Sequence, residues 1–252
     1  MRLRFIKFLI PFIIFIGAIN SFHANGWTIG LPLLFAWVLI PVLELCFKPN
    51  AGNLTEAEEA IARHDKSYDI LLYIVVICQY YALITFLFSL KNDELTYLEI
   101  AGRIWVMGLL CGVFGINVGH ELGHRVNRIE QFLAKALLLT SLYMHFFTEH
   151  NKGHHKRVAT PDDPSSARLG EPVYLFYFRT IIFSYLSAWN IANEEMKKKN
   201  KPIYSLSNEM IQFTFIQISF IAVIYFVFGG FVLLCFLAAA AIGILLLETV
   251  NY

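Results

Sequence analysis

The residues best suited to chemistry in this sequence are histidines, and six of the eight fall within one short stretch. The first group, His120 and His124, lies in the segment Gly-His-Glu-Leu-Gly-His. The second group, His150, His154 and His155, lies in the segment Glu-His-Asn-Lys-Gly-His-His. Residues four apart on a helix share a face, so each group can direct two imidazoles at one metal ion. His155 adds an imidazole on a neighbouring face.

Five imidazoles in two groups indicate a site for two metal ions. The pattern His-Glu-x-x-His also occurs in zinc proteases, where the Glu is the general base. A zinc protease uses three protein ligands and keeps one position open, and five histidines exceed that number. An intramembrane zinc protease would also need an Asp-containing motif in a later span, and the segment from Met210 to Leu247 contains no Asp.

Among the metals that imidazole binds, the setting favours iron. Imidazole-rich sites suit zinc, copper, iron and nickel. An apolar, water-poor pocket at the ends of membrane helices suits the activation of O2 for an apolar substrate. His23 and His64 lie in connecting segments and are expected to take no part.

The elements that must position these histidines are membrane helices. The chain is 57% hydrophobic and 15% charged, whereas a soluble domain carries about 25% charged residues. A helix needs about 20 apolar residues to cross a bilayer. The sequence therefore predicts an all-α polytopic membrane protein, one membrane-embedded domain over residues 1–252 with about six spans. The predicted spans are residues 5–19, 27–47, 70–90, 104–119, 210–228 and 231–250.

Three segments of the chain are compatible with more than one arrangement in the membrane. The last two predicted spans come from one uncharged run, divided where Gly229-Gly230 provides a turn. Residues 1–19 resemble a signal peptide, but no small-residue cleavage site follows, so we interpret this segment as an uncleaved first span. Residues 132–147 are apolar but short, and a span there would separate the two histidine groups across the membrane. We therefore predict a re-entrant or interfacial helix over 132–147.

The basic residues predict the orientation in the membrane. With the N-terminus inside, all but Lys91 and Arg103 of the 20 lysines and arginines fall in inner segments. Cytoplasmic segments carry such an excess, so we expect a cytoplasmic N-terminus and a cytoplasmic region over residues 120–209 that contains the metal site. The 20 basic residues face 19 acidic ones, which gives no charge bias toward nucleic acid.

The sequence around both histidine groups resembles the membrane alkane 1-monooxygenases (alkane hydroxylases). These belong to the wider superfamily of fatty acid desaturases and xylene monooxygenase. Residues 120–125 are similar to the first histidine box of that family, which usually has Lys where Arg125 stands. Residues 149–155 are similar to the second box, Glu-His-Asn-x-Gly-His-His. Residues 157–168 resemble the stretch that follows the second box in alkane hydroxylases and that desaturases generally lack.

The resemblance covers roughly the first two thirds of a typical family member. Members carry the motif Asn-Tyr-x-x-His-Tyr-Gly after the sixth span, and later a third box rich in histidine. This sequence stops at Asn251-Tyr252, which matches the start of the former motif. The resemblance therefore implies a C-terminally incomplete chain, from a truncated gene or a partial sequence, without four further histidine ligands. An inactive truncated remnant that binds one metal weakly is thus an alternative to an enzyme.

The resemblance also implies an activity. The family members are di-iron monooxygenases that use O2 to hydroxylate the terminal carbon of medium- or long-chain alkanes in the bacterial inner membrane. Two iron ions would be held by the five histidines and by downstream histidines. Rubredoxin, reduced by an NADH-dependent rubredoxin reductase, would supply the electrons. The alternative within the superfamily is a fatty acid desaturase or another lipid hydroxylase, and the product distinguishes a terminal alcohol from a double bond.

Several neighbours of the histidines are candidates for supporting roles. A ligating imidazole normally donates its second N–H to a carboxylate or carbonyl. The candidate carboxylates are Glu121, Glu149, Asp162 and Asp163, and His145 could line the site. Asp162 and Asp163 lie between two prolines, so a turn is their alternative role.

Two arginines are candidates for contact with the electron donor. Arg157 and Arg168 follow the second histidine group, and their charges could meet the acidic surface of a rubredoxin.

Overall fold

The computed structural model describes residues 8–47, 55, 56, 59 and 65–252. These residues form helices and no strand. Their contacts divide the chain into two units, residues 1–107 and 108–252. That residues 1–252 form one membrane-embedded domain stays a prediction. The helices are α1 (Phe12–His23), α2 (Gly26–Cys46), α3 (Ser67–Ser89), α4 (Tyr97–Gly123), α5 (Arg128–Leu139), α6 (145–157), α7 (Val173–Lys198), α8 (Glu209–Phe228) and α9 (Gly230–Asn251).

Helix α6 has three consecutive parts. It begins as the α-helical segment His145–Glu149 and continues as the π-helical turn His150–His154. It ends with the short segment His155–Arg157.

Five helices among the described residues are long and apolar enough to cross a membrane, namely α2, α3, α4, α8 and α9. The prediction of an all-α polytopic membrane protein is confirmed. The predicted count of six was approximate. The described part of the first predicted span, 5–19, overlaps α1, which is apolar but has 12 residues. Residues 5–7 of that span lie outside the described residues.

Arg103 organises helix ends in the first unit. The sequence interpretation placed it in a loop before the span 104–119, but it lies inside α4 and is 3% exposed. Its guanidinium donates hydrogen bonds to the carbonyl oxygens of Ser89, at 2.7 Å, and Ala24, at 2.9 Å. Carbonyls at helix ends lack partners within the helix, so one arginine satisfies acceptors at the ends of both α1 and α3.

The second unit contains the last two apolar helices, which meet at Gly229. Gly229 has a φ of +88°. Glycine adopts this conformation without the steric cost of a Cβ, so the chain can end α8 and begin α9 within one residue.

Close packing joins α9 to α4 at glycines. A Cβ on Gly243 would lie 2.5 Å from the Cβ of Cys111 and 3.0 Å from the backbone nitrogen of Gly112. The two helices approach so closely because Gly112 of α4 and Gly243 of α9 have no side chains to separate them. Small residues are common where membrane helices meet.

The stretch 132–147 differs from its prediction. Instead of one re-entrant helix, α5 ends at Leu139 and α6 begins at His145. Between them the chain turns through Leu142, which has a φ of +53°. The amide of Tyr143 donates to the carbonyl of Leu138 at 2.9 Å and closes the turn. The sequence did not predict a break within this apolar run, because the turn contains neither glycine nor proline.

Helix α7 was not predicted as an element of the region 120–209. Its buried residues recur at every fourth position and form one stripe along the helix, namely Phe176, Thr180, Ser184, Ala188, Ala192 and Met196. Most of these side chains are small, and the stripe packs against α6. Polar residues such as Arg179 interrupt the hydrophobic pattern, so the sequence shows neither a membrane span nor a strongly apolar face.

The close crossing of α4 and α9 predicts that one added methyl group will lower the stability of the folded protein. Gly243→Ala should destabilise the folded protein by about 1–3 kcal/mol, because its Cβ overlaps Cys111. The measurement is thermal unfolding of the purified protein in detergent. Gly230→Ala is the matched control, since a Cβ there would meet Cε2 of Tyr225 at an ordinary van der Waals distance of 3.6 Å. Equal stability of the two variants would contradict this packing.

Candidate metal centre

The first histidine pair lies at the C-terminal end of α4. His120 is in the last turn of the helix, and His124 is the first residue after the helix ends. Their spacing of four residues brings the two Nε2 atoms to 2.7 Å from one another. A π-helical turn, Cys111–Ile116, precedes this pair. Such turns are rare in helices and occur frequently at functional sites.

The second histidine group occupies the π-helical turn of α6. A π-helical turn joins residues five apart, rather than four as in an α-helix. His150 and His155 are five apart, and their Nε2 atoms lie 3.0 Å from one another. The sequence interpretation paired His150 with His154 and placed His155 on a neighbouring face. The wider turn explains why His155 pairs with His150 instead.

The two pairs come together in one cluster. The imidazoles of His120 and His150 have ring centroids 4.3 Å apart, and those of His124 and His155 are 4.8 Å apart. One nitrogen from each of these four residues lies within 4.8 Å of all the others. Two segments separated by about 25 residues of sequence thus direct their imidazoles at a common centre.

His154 is held by a buried carboxylate. Its Nδ1 lies 2.8 Å from Oδ2 of Asp163, which is 1% exposed. Ser166 donates its hydroxyl hydrogen to Oδ2 of Asp163, and the amide of Ser165 donates to Oδ1 at 3.1 Å. These bonds hold the carboxylate in place. The carboxylate in turn orients the imidazole of His154, so that Nε2 is the nitrogen that can bind a metal ion. The residues between the two prolines therefore form a turn, and one of them, Asp163, also contacts a histidine.

The other three candidate carboxylates lie in different surroundings from Asp163. Glu121 is exposed and pairs with Arg125 at 3.2 Å. Asp162 is exposed on a cavity wall. Glu149 is buried and accepts a hydrogen bond from Arg157 at 3.0 Å. Burial raises the pKa of Glu149, and the charge of Arg157 opposes that rise.

His145, the first residue of α6, lies in an aromatic setting. Its ring packs edge-on against Tyr143, with centroids 4.5 Å apart, and against Tyr185, at 5.2 Å. Burial lowers the pKa of His145 to about 4, so the ring is neutral at pH 7. Its Nε2 is buried without a hydrogen-bond partner among the described residues.

The two arginines proposed to face an electron donor differ in exposure. Arg168 is exposed. Arg157 points inward, because its guanidinium also donates to the hydroxyl of Ser187 at 2.7 Å. Both arginines line a cavity of about 400 Å³ next to α7.

Ion pairs hold α6 against its neighbours. Lys152, within the π-helical turn, contacts Glu195 of α7 at 2.8 Å and Glu209 of α8 at 3.3 Å. Lys135 of α5 contacts Glu209 at 2.6 Å, and Thr148 donates to it at 3.0 Å. The segment that carries three of the histidines is thus tied directly to α7 and α8, and Lys135 ties α5 to the same carboxylate of Glu209.

Sequence reasoning missed the aromatic support behind the cluster. Phe146 stacks on His150, with ring centroids 4.7 Å apart and an angle of 20° between the planes. Tyr143 stacks on the same phenylalanine at 5.6 Å. The four-residue spacing of Phe146 and His150 was a signal for the first contact. The second depends on the turn between α5 and α6, which the sequence did not reveal.

The electrostatics of the cluster fit a metal site. Burial, followed by the charge of His155, lowers the pKa of His124. Burial and the neighbouring imidazoles lower the pKa of His150 to about 2. The lowered pKa values favour the neutral imidazoles that bind metals. An all-nitrogen donor set suits iron, zinc or copper and does not suit calcium or magnesium, which take oxygen ligands.

Comparison with known proteins assigns the family. The fatty acid desaturase family model matches residues 100–252, which include every histidine of the cluster and the helices that hold them. The chain belongs to the fatty acid desaturase family. This membership and the relatives below confirm the resemblance drawn from the histidine boxes.

Relatives of this desaturase-family chain include several alkane hydroxylases. The chain is 33% identical over 232 residues to the alkane 1-monooxygenase of Ectopseudomonas oleovorans, an alignment that covers 91% of this chain and 58% of the relative. It is 32% identical over 230 residues to alkane 1-monooxygenase 1 of Alcanivorax borkumensis, covering 90% and 57%. It is 24% identical over 247 residues to the xylene/toluene monooxygenase hydroxylase component of Pseudomonas putida, covering 97% and 65%. The chain thus spans less than two thirds of each.

The contact between His154 and Asp163 predicts a loss of metal affinity in one variant. Asp163→Asn should weaken metal binding about 10- to 100-fold, because the carboxylate that orients the imidazole is lost. The measurement is a metal titration of the purified protein against a competing chelator. Asp162→Asn, at the exposed neighbouring carboxylate, should keep the wild-type affinity. Similar losses in both variants would contradict a specific role of Asp163.

Proposed function

We propose that this chain provides iron ligands of a membrane di-iron monooxygenase that hydroxylates the terminal carbon of medium- or long-chain alkanes. The observation that carries the proposal is the convergence of His120, His124, His150 and His155 at one centre. Their segments correspond to the two histidine boxes quoted above, in a chain similar to several alkane 1-monooxygenases.

The ligands proposed for two iron ions are the four clustered histidines and His154. The chemistry that bound iron would supply is the activation of O2, with one oxygen atom entering the carbon–hydrogen bond and the other leaving as water. The protein residues do the positioning. Asp163 orients His154, and Phe146 covers one face of His150 and keeps water from that side. The neutral imidazoles are ready to bind metal without first losing a proton.

The segment after the second histidine box favours an alkane hydroxylase over a desaturase. Residues 157–168 resemble the alkane hydroxylases and not the desaturases. In this chain Asp163, Ser165 and Ser166, all within that segment, form the hydrogen-bonded support of His154. The segment that distinguishes the two families is therefore part of the candidate metal centre.

A fatty acid desaturase or another lipid hydroxylase is the second candidate. The match to the fatty acid desaturase family model favours it, because both kinds of enzyme share that family. Each would take an apolar chain from the surrounding lipid, so the membrane helices suit both.

The proposed electron donor is a rubredoxin, reduced by an NADH-dependent reductase. The exposed Arg168 is the proposed point of contact, whereas Arg157 mainly supports Glu149. We place the protein in a bacterial inner membrane with its metal centre on the cytoplasmic side, as the distribution of basic residues favours.

Product analysis tests the proposed activity. The full protein encoded by the gene, in membranes with iron, O2, NADH, rubredoxin and its reductase, should convert octane or hexadecane into the 1-alkanol. His150→Ala should lower this turnover at least about 100-fold, because it removes an imidazole from the centre of the cluster. Gas chromatography with mass spectrometry measures the product. A double bond introduced into a fatty acyl substrate, with no alkanol formed, would favour the desaturase instead.

Charge reversal tests the electron-donor contact. Arg168→Glu should slow electron transfer from rubredoxin several-fold at low ionic strength, and the difference from wild type should shrink as salt screens the charges. Stopped-flow oxidation of reduced rubredoxin measures the rate. Lys199→Glu, at an exposed position at the end of α7, is the control with the same change of charge. An unchanged salt dependence in Arg168→Glu would refute the contact.

A further inference from the structure

A buried carboxylate outside the proposed ligand set lies in the last helix. Glu248 of α9 is 2% exposed. Its Oε1 accepts a hydrogen bond from the hydroxyl of Tyr143 at 2.9 Å. Its Oε2 accepts from the hydroxyl of Thr180 at 3.2 Å and from the side-chain amide of Asn251 at 3.4 Å. All three donors are electrically neutral.

Three other glutamates of residues 108–252, one buried and two half-buried, face a positive side chain. Glu149 faces Arg157, Glu171 faces Arg179 at 2.6 Å, and Glu209 faces Lys135 at 2.6 Å. Within the described parts of the chain, no lysine or arginine makes an ion pair with Glu248. A buried negative charge without a counter-charge is costly, so a nearby positive charge is expected to balance it.

The surroundings of Glu248 lead to the histidine cluster. Tyr143, which donates to Glu248, stacks on Phe146 with ring centroids 5.6 Å apart. Phe146 stacks in turn on His150 at 4.7 Å. Charges act over longer distances through such packed, apolar groups than through water.

The charge of a loaded metal centre would be large. Two divalent ions bring four positive charges, and neutral imidazoles offset none of them. Asp163 provides one negative charge beside His154. Glu149 is already paired with Arg157. Glu248 is thus a second buried carboxylate that is available to balance the ions.

We infer that Glu248 is a positioning residue for the metal centre, whose negative charge balances the bound ions from behind the stacked rings of Tyr143 and Phe146. This inference rests on the proposed function, because it requires the histidine cluster to bind metal. The carboxylate acts through space and through Tyr143, and it is not itself proposed as a ligand.

Three variants separate the charge from the hydrogen bonds. Glu248→Gln removes the charge and still accepts the hydrogen bond from Tyr143. Glu248→Asp keeps the charge on a shorter side chain. Tyr177→Phe removes a different tyrosine hydroxyl between α7 and α9, whose oxygen lies 2.7 Å from that of Thr249, and serves as the matched control.

The experiment is an anaerobic Fe(II) titration of the purified full protein in detergent, against a competing chelator. Glu248→Gln should bind Fe(II) at least about tenfold more weakly than wild type, whereas Glu248→Asp and Tyr177→Phe should stay within about threefold. Thermal unfolding of the metal-free proteins is measured beside it. Metal-free Glu248→Gln should be as stable as wild type or more stable, since the replaced group is a costly buried charge.

The possible outcomes are distinct. If wild type binds no Fe(II), the proposed function fails. If wild type binds Fe(II) and Glu248→Gln binds it equally well, the role of Glu248 is overturned while the proposed function stands. A Glu248→Gln protein that unfolds at a clearly lower temperature, or does not fold, also overturns the inference, because it makes Glu248 a structural hydrogen-bonding group. The visible spectrum of the Co(II)-substituted proteins should shift in Glu248→Gln and not in Tyr177→Phe, and an unshifted spectrum counts against the role.

Discussion

The convergence of four imidazoles is the constraint on which the arrangement of residues 108–252 depends. Nitrogens of His120, His124, His150 and His155 lie within 4.8 Å of one another. Protonated imidazoles at such distances would repel each other, so the cluster requires neutral rings. Burial favours the neutral form, and it also demands that helices and side chains enclose the site. A metal ion that binds the four nitrogens would turn this costly arrangement into a stable one.

Helix geometry provides the convergence at each side of the cluster. At the end of α4, ordinary four-residue spacing pairs His120 with His124. In α6, a π-helical turn pairs residues five apart, His150 and His155. His154 is not one of the four, but its ring stacks on that of His150 with centroids 5.2 Å apart, and Asp163 contacts its Nδ1. A segment of six residues therefore brings three histidines close together.

The sequence predicted much of this because spacing and hydropathy are local properties. Uncharged runs indicated the membrane helices, and the spacing of His120 and His124 indicated their common face. The π-helical turn was not predictable, since the spacing of these histidines is equally compatible with an ordinary α-helix, which would pair His150 with His154 instead of His155. The sequence indicated four carboxylates as possible partners of the histidines, but not that Asp163 contacts His154. The chain must fold back over nine residues to make that contact. Arg103 was assigned to a loop because a charge usually ends an apolar helix, yet its hydrogen bonds to Ser89 and Ala24 make burial favourable.

The central claim is that imidazoles from both segments bind one metal centre, and X-ray absorption at the iron edge tests it most directly. The sample is the purified protein loaded with iron, compared with a variant in which His124 and His155 are both replaced by alanine. The account predicts that nitrogen dominates the nearest neighbours of iron in the wild type, with outer scattering from imidazole ring carbons that falls in the variant. An iron environment of oxygen or sulfur alone, or ring-carbon scattering that is identical in the two proteins, would contradict it.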